Sequence, residues 1–140
     1  MNEQDYLDSI LAFDYGDIRI GVAIKPANEA TPQPLVTVPN STQVWRVIQE
    51  LLDLHQPDLI IIGRPRNLDG EETEQTKKAM RFAEDLAERY NNKVELQDEA
   101  LTTEQAKNRI PKALASKSRE LIDQYAACVI LEDYLKTRQN

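Results

Sequence analysis

Residues 11–24 read LAFDYGDIRIGVAI, two apolar runs joined by Tyr15-Gly16-Asp17, with one carboxylate, Asp14, set at the end of the first run. A strand covered on both faces reads as a nearly continuous apolar stretch. A charge placed in such a stretch is costly unless it is paired, bound to a metal or open to water. Asp14 therefore marks either a structural ion pair, with Arg19 as the nearest candidate, or the floor of a site. The Tyr15-Gly16-Asp17 link can close a tight connection, so residues 10–15 and 18–24 are expected to pair antiparallel.

Outward from this pair, the chain passes through a loop holding Pro26, Pro32 and Pro34 into PLVTV, residues 34–38, which predicts a third strand. From Thr42 to His55, Val44, Val47, Ile48, Leu51, Leu52 and His55 recur at helical spacing, and Pro57 stops the run. DLIIIG, residues 58–63, reads as a buried central strand. Glu72–Tyr90 predicts a helix with Met80, Phe82, Ala83, Leu86 and Ala87 on its apolar side, and KVELQ, residues 93–97, a short strand. Thr102-Thr103-Glu104-Gln105 has the form of a capping box, and a last helix runs from about Ser118 to Lys136. Three successive strands followed by helix, strand, helix, strand and helices predict one α/β domain over residues 1–140. Its mixed sheet is an antiparallel three-strand meander extended by parallel strands and flanked by helices.

The composition supports this frame: 140 residues with 41% hydrophobic content can bury a core without disulfides. No stretch approaches the roughly 20 apolar residues of a membrane span, and the N-terminus, MNEQDYLDSI, is acidic where a signal peptide is basic. A cytoplasmic protein without membrane partners is expected. The single cysteine, Cys128, excludes an internal disulfide and a cysteine-rich metal site, leaving core packing as its role. A net charge of -7 excludes a protein that coats nucleic acid through a uniformly basic surface. Charge is nonetheless uneven: Gln105–Arg119 holds Lys107, Arg109, Lys112, Lys117 and Arg119 with no acid.

Three acids stand out by position. Asp14 lies in the first strand, Glu99, beside Asp98, just past the last strand, and Asp123 inside the final helix, on the same face as Ala126, Ala127 and Ile130. If the fold brings them to the sheet edge where α/β proteins place ligands, they offer the hard oxygen donors that Mg²⁺ favours. Taken singly, each has a plainer reading: Asp14 as partner of Arg19, Asp98 or Glu99 as charge ahead of a helix, Asp123 as intrahelical partner of Arg119.

AFDYGDIRIGVAI, IIIGRPRNLDGEE, DEALTTEQA and DQYAACVILEDYL, in this order and spacing, resemble the YqgF family, also called RuvX. The resemblance runs from about Ile10 to Leu135 and implies a ribonuclease H-like fold related to the RuvC resolvases. It implies a nuclease that processes the 5′ end of pre-16S ribosomal RNA, or a resolvase-like enzyme acting on branched DNA. Carried over by residue, it implies that Asp14, Glu99 and Asp123 are catalytic and hold Mg²⁺ or Mn²⁺ in a two-metal hydrolysis. No side-chain nucleophile is then needed, so His55 is expected to be structural. Arg19, and Arg64 and Arg66 of the GRPRNLDG loop, residues 63–70, are expected to meet phosphate, together with Lys107, Arg109, Lys112 and Lys117. That loop is not a Walker loop, because the Gly-Lys-Ser/Thr ending is absent.

Two departures matter. The family usually has an arginine after the Asp-Glu pair where this chain has Ala100, and the second helix acid of the RuvC type is replaced, one turn beyond Asp123, by Ala126. The metal cage is leaner in charge, which argues against efficient junction cleavage. Two other classes stay open: a phosphotransfer domain of the actin and hexokinase type, which the short chain disfavours, and a non-catalytic RNA or ribosome assembly factor. The oligomeric state is not set by the sequence.

Overall fold

The computed structural model describes residues 1–99, 108, 111–112 and 118–138. A short N-terminal helix, α1 (Glu3–Leu7), which the sequence pattern did not predict, precedes β1 (Ile10–Asp14), β2 (Arg19–Lys25) and β3 (Gln33–Pro39). Then follow α2 (Val44–His55), β4 (Leu59–Pro65), α3 (Glu74–Arg89), β5 (Lys93–Glu99) and, after the segment outside the description, α4 (Arg119–Thr137). The sheet runs β3-β2-β1-β4-β5, antiparallel from β3 to β1 and parallel from β1 to β5. This is the expected meander with parallel strands. The capping box at Thr102–Gln105 and the basic residues Lys107, Arg109 and Lys117 lie outside the described residues.

The apolar strands bury side chains on both faces, and strand alternation sorts them. Leu11, Phe13, Ile20, Val22, Ile60 and Ile62 pack with Val44, Ile48 and Leu52 of α2 and with Phe82, Ala83 and Leu86 of α3. Ile10, Ala12, Leu59 and Ile61 point the other way, against Ile130, Leu131, Tyr134 and Leu135 of α4. The result is a three-layer α/β/α arrangement. On α3 the apolar side is set by Thr76, Ala79, Phe82, Ala83 and Leu86, whereas Ala87 is exposed. The helical stripe is thus rotated from the expected one, with Thr76 drawn inward because its hydroxyl donates to the Pro65 carbonyl.

α4 sits unusually close to the sheet because the residues beneath it are small. Gly21 and Ala23 on β2 and Gly63 on β4 lie under Asp123, Ala127 with Cys128, and Ile130. At its start, Ser118 caps the helix by accepting from the Leu121 N–H at 3.1 Å. The Thr37 hydroxyl on β3 donates to the Glu120 carbonyl at 2.6 Å, and Gln124 donates to that hydroxyl at 3.2 Å. Further along, the Tyr134 hydroxyl donates to Glu95 on β5 at 2.8 Å. Cys128 is buried between them, and burial pushes its thiol up to about 12, consistent with inert packing.

A methyl group added at Gly21 would overlap the Asp123 backbone carbonyl, whereas one at Gly63 would meet only the end of the Ile130 side chain. Urea unfolding is therefore expected to show a cost of about 3 kcal/mol for Gly21→Ala and about 1 kcal/mol for Gly63→Ala, since a side-chain tip can move and a helix backbone cannot. Equal costs would contradict the close approach.

Candidate active site

Asp14 is the last residue of β1 and its register partner across the antiparallel pair is Gly21. Strand alternation places Asp14 on the α4 side, continuing Ile10 and Ala12. Because Gly21 has no side chain, the backbone of α4 at Asp123 seats directly against it, which brings Asp123 beside the end of β1 that carries Asp14. Burial pushes the Asp14 carboxyl up to about 7, with the Asp123 charge as the second cause. Two acids, 109 positions apart in the chain, thus share one corner at the C-terminal end of β1.

The backbone after Asp14 is held from several sides. Tyr15 packs on Phe82 with ring centroids 4.9 Å apart, and Gln75 donates to the Tyr15 carbonyl at 2.9 Å. Asn40 donates its amide to the Gly16 carbonyl at 2.8 Å and its N–H to the Ile18 carbonyl at 2.9 Å. Lys78 meets Asp17 at 3.1 Å. The hairpin turn is therefore clamped.

Arg19 opens β2 on the same face as Gly21 and places its Nε 2.6 Å from Asp123 Oδ2. This corrects two simple pairings: Arg19 partners Asp123 rather than Asp14, and Asp123 takes Arg19 rather than Arg119 one turn back on its own helix. Sequence reasoning could not choose among them, because the choice depends on where α4 crosses β2.

Glu99 is the final residue of β5, not a position past it, in register with Pro65, and its carbonyl accepts from the Arg66 N–H at 2.8 Å. The extra strand length comes from β4, which continues through Arg64 and Pro65 and so carries its neighbour with it. Glu95, two alternations earlier, bonds to Tyr134 of α4, so Glu99 belongs to the α4 face shared by Asp14 and Asp123.

Asp98 has the opposite fate. It turns to the α3 face, where Arg64, its register partner, places Nε 2.5 Å from Oδ1 and Arg66 places Nε 3.3 Å away. The Arg64 bond holds the Asp98 carboxyl below the usual carboxylate range. Arg66 also donates to the Gly70 carbonyl at 3.2 Å. The adjacent acids of the Asp-Glu pair thus separate by face: Glu99 lies on the α4 side with Asp14 and Asp123, while Asp98 pairs with two arginines on the other. This role for Asp98 was legible only as a neighbouring acid. Lys112 is exposed. His55 ends α2 just before the start of β4, at the opposite end of the sheet from Asp14, in keeping with a structural role.

The donor chemistry fits a hard divalent ion. Asp14, Asp123 and Glu99 offer only carboxylate oxygen on one face, which suits Mg²⁺ or Mn²⁺ and not a thiolate-seeking metal. Among the described residues, no three His, Cys, Asp or Glu side chains are gathered closely enough to hold one ion. Asp14 and Asp123 come together, Arg19 engages the latter, and Glu99 stands on the same face beyond them.

With this geometry in place, comparison with known proteins is informative. The RuvX family model, described as Holliday junction resolvase, matches residues 8–137. The chain belongs to the RuvX family. It is 38% identical over 130 residues to the "Putative pre-16S rRNA nuclease" of Haemophilus ducreyi, covering 90% of this chain and 94% of that one. It is 35% identical over 134 residues to a protein of the same name from Shewanella denitrificans, covering 93% and 95%. Among solved structures, Fowlpox virus resolvase with substrate Holliday junction DNA superposes at a TM-score of 0.62, with 16% identity over 94% of this chain and 99% of that one. Thermus thermophilus RuvC with a Holliday junction substrate gives 0.55 and 16% identity over 92% and 95%. These likenesses establish the ribonuclease H-like fold of RuvC-like resolvases, and RuvX membership makes the chain a nuclease-family enzyme. No helix among the described residues is long and apolar enough to cross a membrane.

The raised Asp14 carboxyl has a consequence for stability. Its folded value, about 7, lies above the ordinary 3.8, so the folded state of the metal-free protein keeps a proton that the unfolded chain releases. Stability from this group is full below pH 4 and is lost as pH rises through 7. Asp14→Asn escapes that loss: its melting temperature should match the parent near pH 4 and exceed it by pH 8, an advantage of at most about 4 kcal/mol. A constant difference across this range in thermal melts without metal would contradict it.

Proposed function

We propose that this RuvX-family chain is a metal-dependent endonuclease that hydrolyses a phosphodiester bond in structured RNA, with the 5′ end of pre-16S ribosomal RNA as its substrate. The observation that carries the reading is the meeting of Asp14 and Asp123 in one corner, with Glu99 on the same face. Two neighbouring carboxylates, one of them half-buried, favour a proton or a cation between them. The names of the relatives in Haemophilus ducreyi and Shewanella denitrificans support the ribosomal RNA substrate.

Asp14, Asp123 and Glu99 would hold Mg²⁺ or Mn²⁺. A divalent ion bound there supplies Lewis-acid stabilisation of charge on the scissile phosphate and lowers the pKa of an attacking water. The protein's own part is positioning: β1 and α4 fix the Asp14 and Asp123 carboxylates, and β5 presents Glu99. Arg64 and Arg66 are each held to Asp98 through Nε; Arg64 would offer its Nη groups, and Arg66 the Nη not bonded to the Gly70 carbonyl, to phosphate oxygens at the same end of the sheet. Arg19 adds charge near this edge, and the exposed Lys112 belongs by sequence to the same set as Lys107, Arg109 and Lys117. Phosphate contacts give affinity without reading sequence, so selection would rest on RNA shape.

Cleavage of a pre-16S fragment and of a four-way DNA junction should be assayed side by side with Mg²⁺ or Mn²⁺. RNA cut by the parent, and a loss of at least about 100-fold in rate for Asp14→Asn and Asp123→Asn, is the expected result. Junction cleavage without RNA cleavage would move the substrate to branched DNA, and RNA binding without any cleavage would make the protein an assembly factor.

Arg64→Gln should weaken RNA binding at every sequence tested and lower the slope of log affinity against log salt by about 0.7, the value of one single-strand phosphate contact. An unchanged slope in fluorescence anisotropy titrations would remove Arg64 from the interface.

A further inference from the structure

Resting on the reading of Asp14 and Asp123 as metal ligands, we propose that Arg19 is a built-in counter-cation that occupies Asp123 in the metal-free protein and competes with the divalent ion for that carboxylate. The placement is specific. Arg19 and Gly21 are alternate residues on the α4 face of β2, so the guanidinium reaches Asp123 from the strand that also lets α4 approach Asp14. The Nε to Oδ2 distance is 2.6 Å, and the two side chains retain 31% and 23% of their exposure.

That partial exposure decides the energetics. An ion pair still in contact with water contributes little net stability, so it can exchange. A divalent ion brings twice the charge and can bind both aspartates, whereas the guanidinium engages Asp123 from one side. The exchange needs only side-chain motion, because the hairpin backbone before Arg19 is clamped by Asn40, Gln75 and Lys78. Arg19 thereby keeps the acidic corner from standing uncompensated before metal arrives, at the expense of metal affinity.

The opposite arrangement is also chemically distinct. If Arg19 stayed on Asp123 while the metal bound, it would orient a ligand, and its removal would weaken the metal site. The sign of the change in affinity separates the two.

The full chain is titrated with Mn²⁺, free ion being read by electron paramagnetic resonance, in the parent, Arg19→Gln, Arg19→Lys and Asp14→Asn proteins, with circular dichroism checking the fold. Competition predicts that Arg19→Gln binds Mn²⁺ about tenfold tighter, and that Arg19→Lys falls between it and the parent. It also predicts that in chelator Arg19→Gln melts below the parent, and that Mn²⁺ raises its melting temperature more. Equal or weaker binding by Arg19→Gln, with parent binding still abolished by Asp14→Asn, overturns the competition and leaves the metal site standing. Absence of Mn²⁺ binding in both the parent and Arg19→Gln overturns both readings.

Discussion

The contact on which the site depends is the seating of α4 on the glycine of β2. Gly21 faces Asp14 across the hairpin and lies against the backbone at Asp123, so a single missing side chain sets the separation of the two acids. Small residues extend the seat, with Ala23 under Ala127 and Cys128 and Gly63 under Ile130. Packing of this kind is intolerant of added volume, since interiors are already close to crystalline density. Glycine here serves close approach and not backbone freedom: Gly21 sits within a regular strand.

The ends of α4 are fixed by polar contacts of different kinds. Thr37 on one sheet edge holds its first turns through Glu120 and Gln124, and Glu95 on the other edge holds Tyr134. Between them the helix rests on apolar side chains of β1 and β4. A carboxylate placed on its first turns is thereby carried to a definite point above the sheet. Burying Asp14 beside it costs stability that a packed apolar residue would not, and such local conflict between folding and placement is where function concentrates.

Much of this was legible in the sequence. The succession of strands and helices, the antiparallel hairpin and the inward face of α2 follow from apolar periodicity and from Pro57 and Gly16, because local patterns and burial agree there. Asp14 was conspicuous because a carboxylate ends a run that is otherwise apolar, and Asp123 because it shares a face with Ala127 and Ile130. Pairings that depend on tertiary distance were not legible. Arg19 meets Asp123 only because α4 crosses β2 at Gly21, and Asp98 captures Arg64 and Arg66 only because β4 continues to Pro65. The rotation of the α3 stripe has the same origin, in a Thr76 hydroxyl that finds a carbonyl on β4. Alternation then gives Asp98 and Glu99, adjacent in sequence, different neighbours on opposite faces.

The central claim is that Asp14 and Asp123 are brought together to hold a divalent ion. Crystals soaked in Mn²⁺ and measured at the manganese absorption edge test it most directly, because anomalous scattering locates the ion without reference to activity. A peak between the Asp14 and Asp123 carboxylates, with Glu99 in its shell or bonded to its water, is the predicted result. A saturated crystal whose anomalous peaks all lie elsewhere, with the two carboxylates still in place, would contradict it.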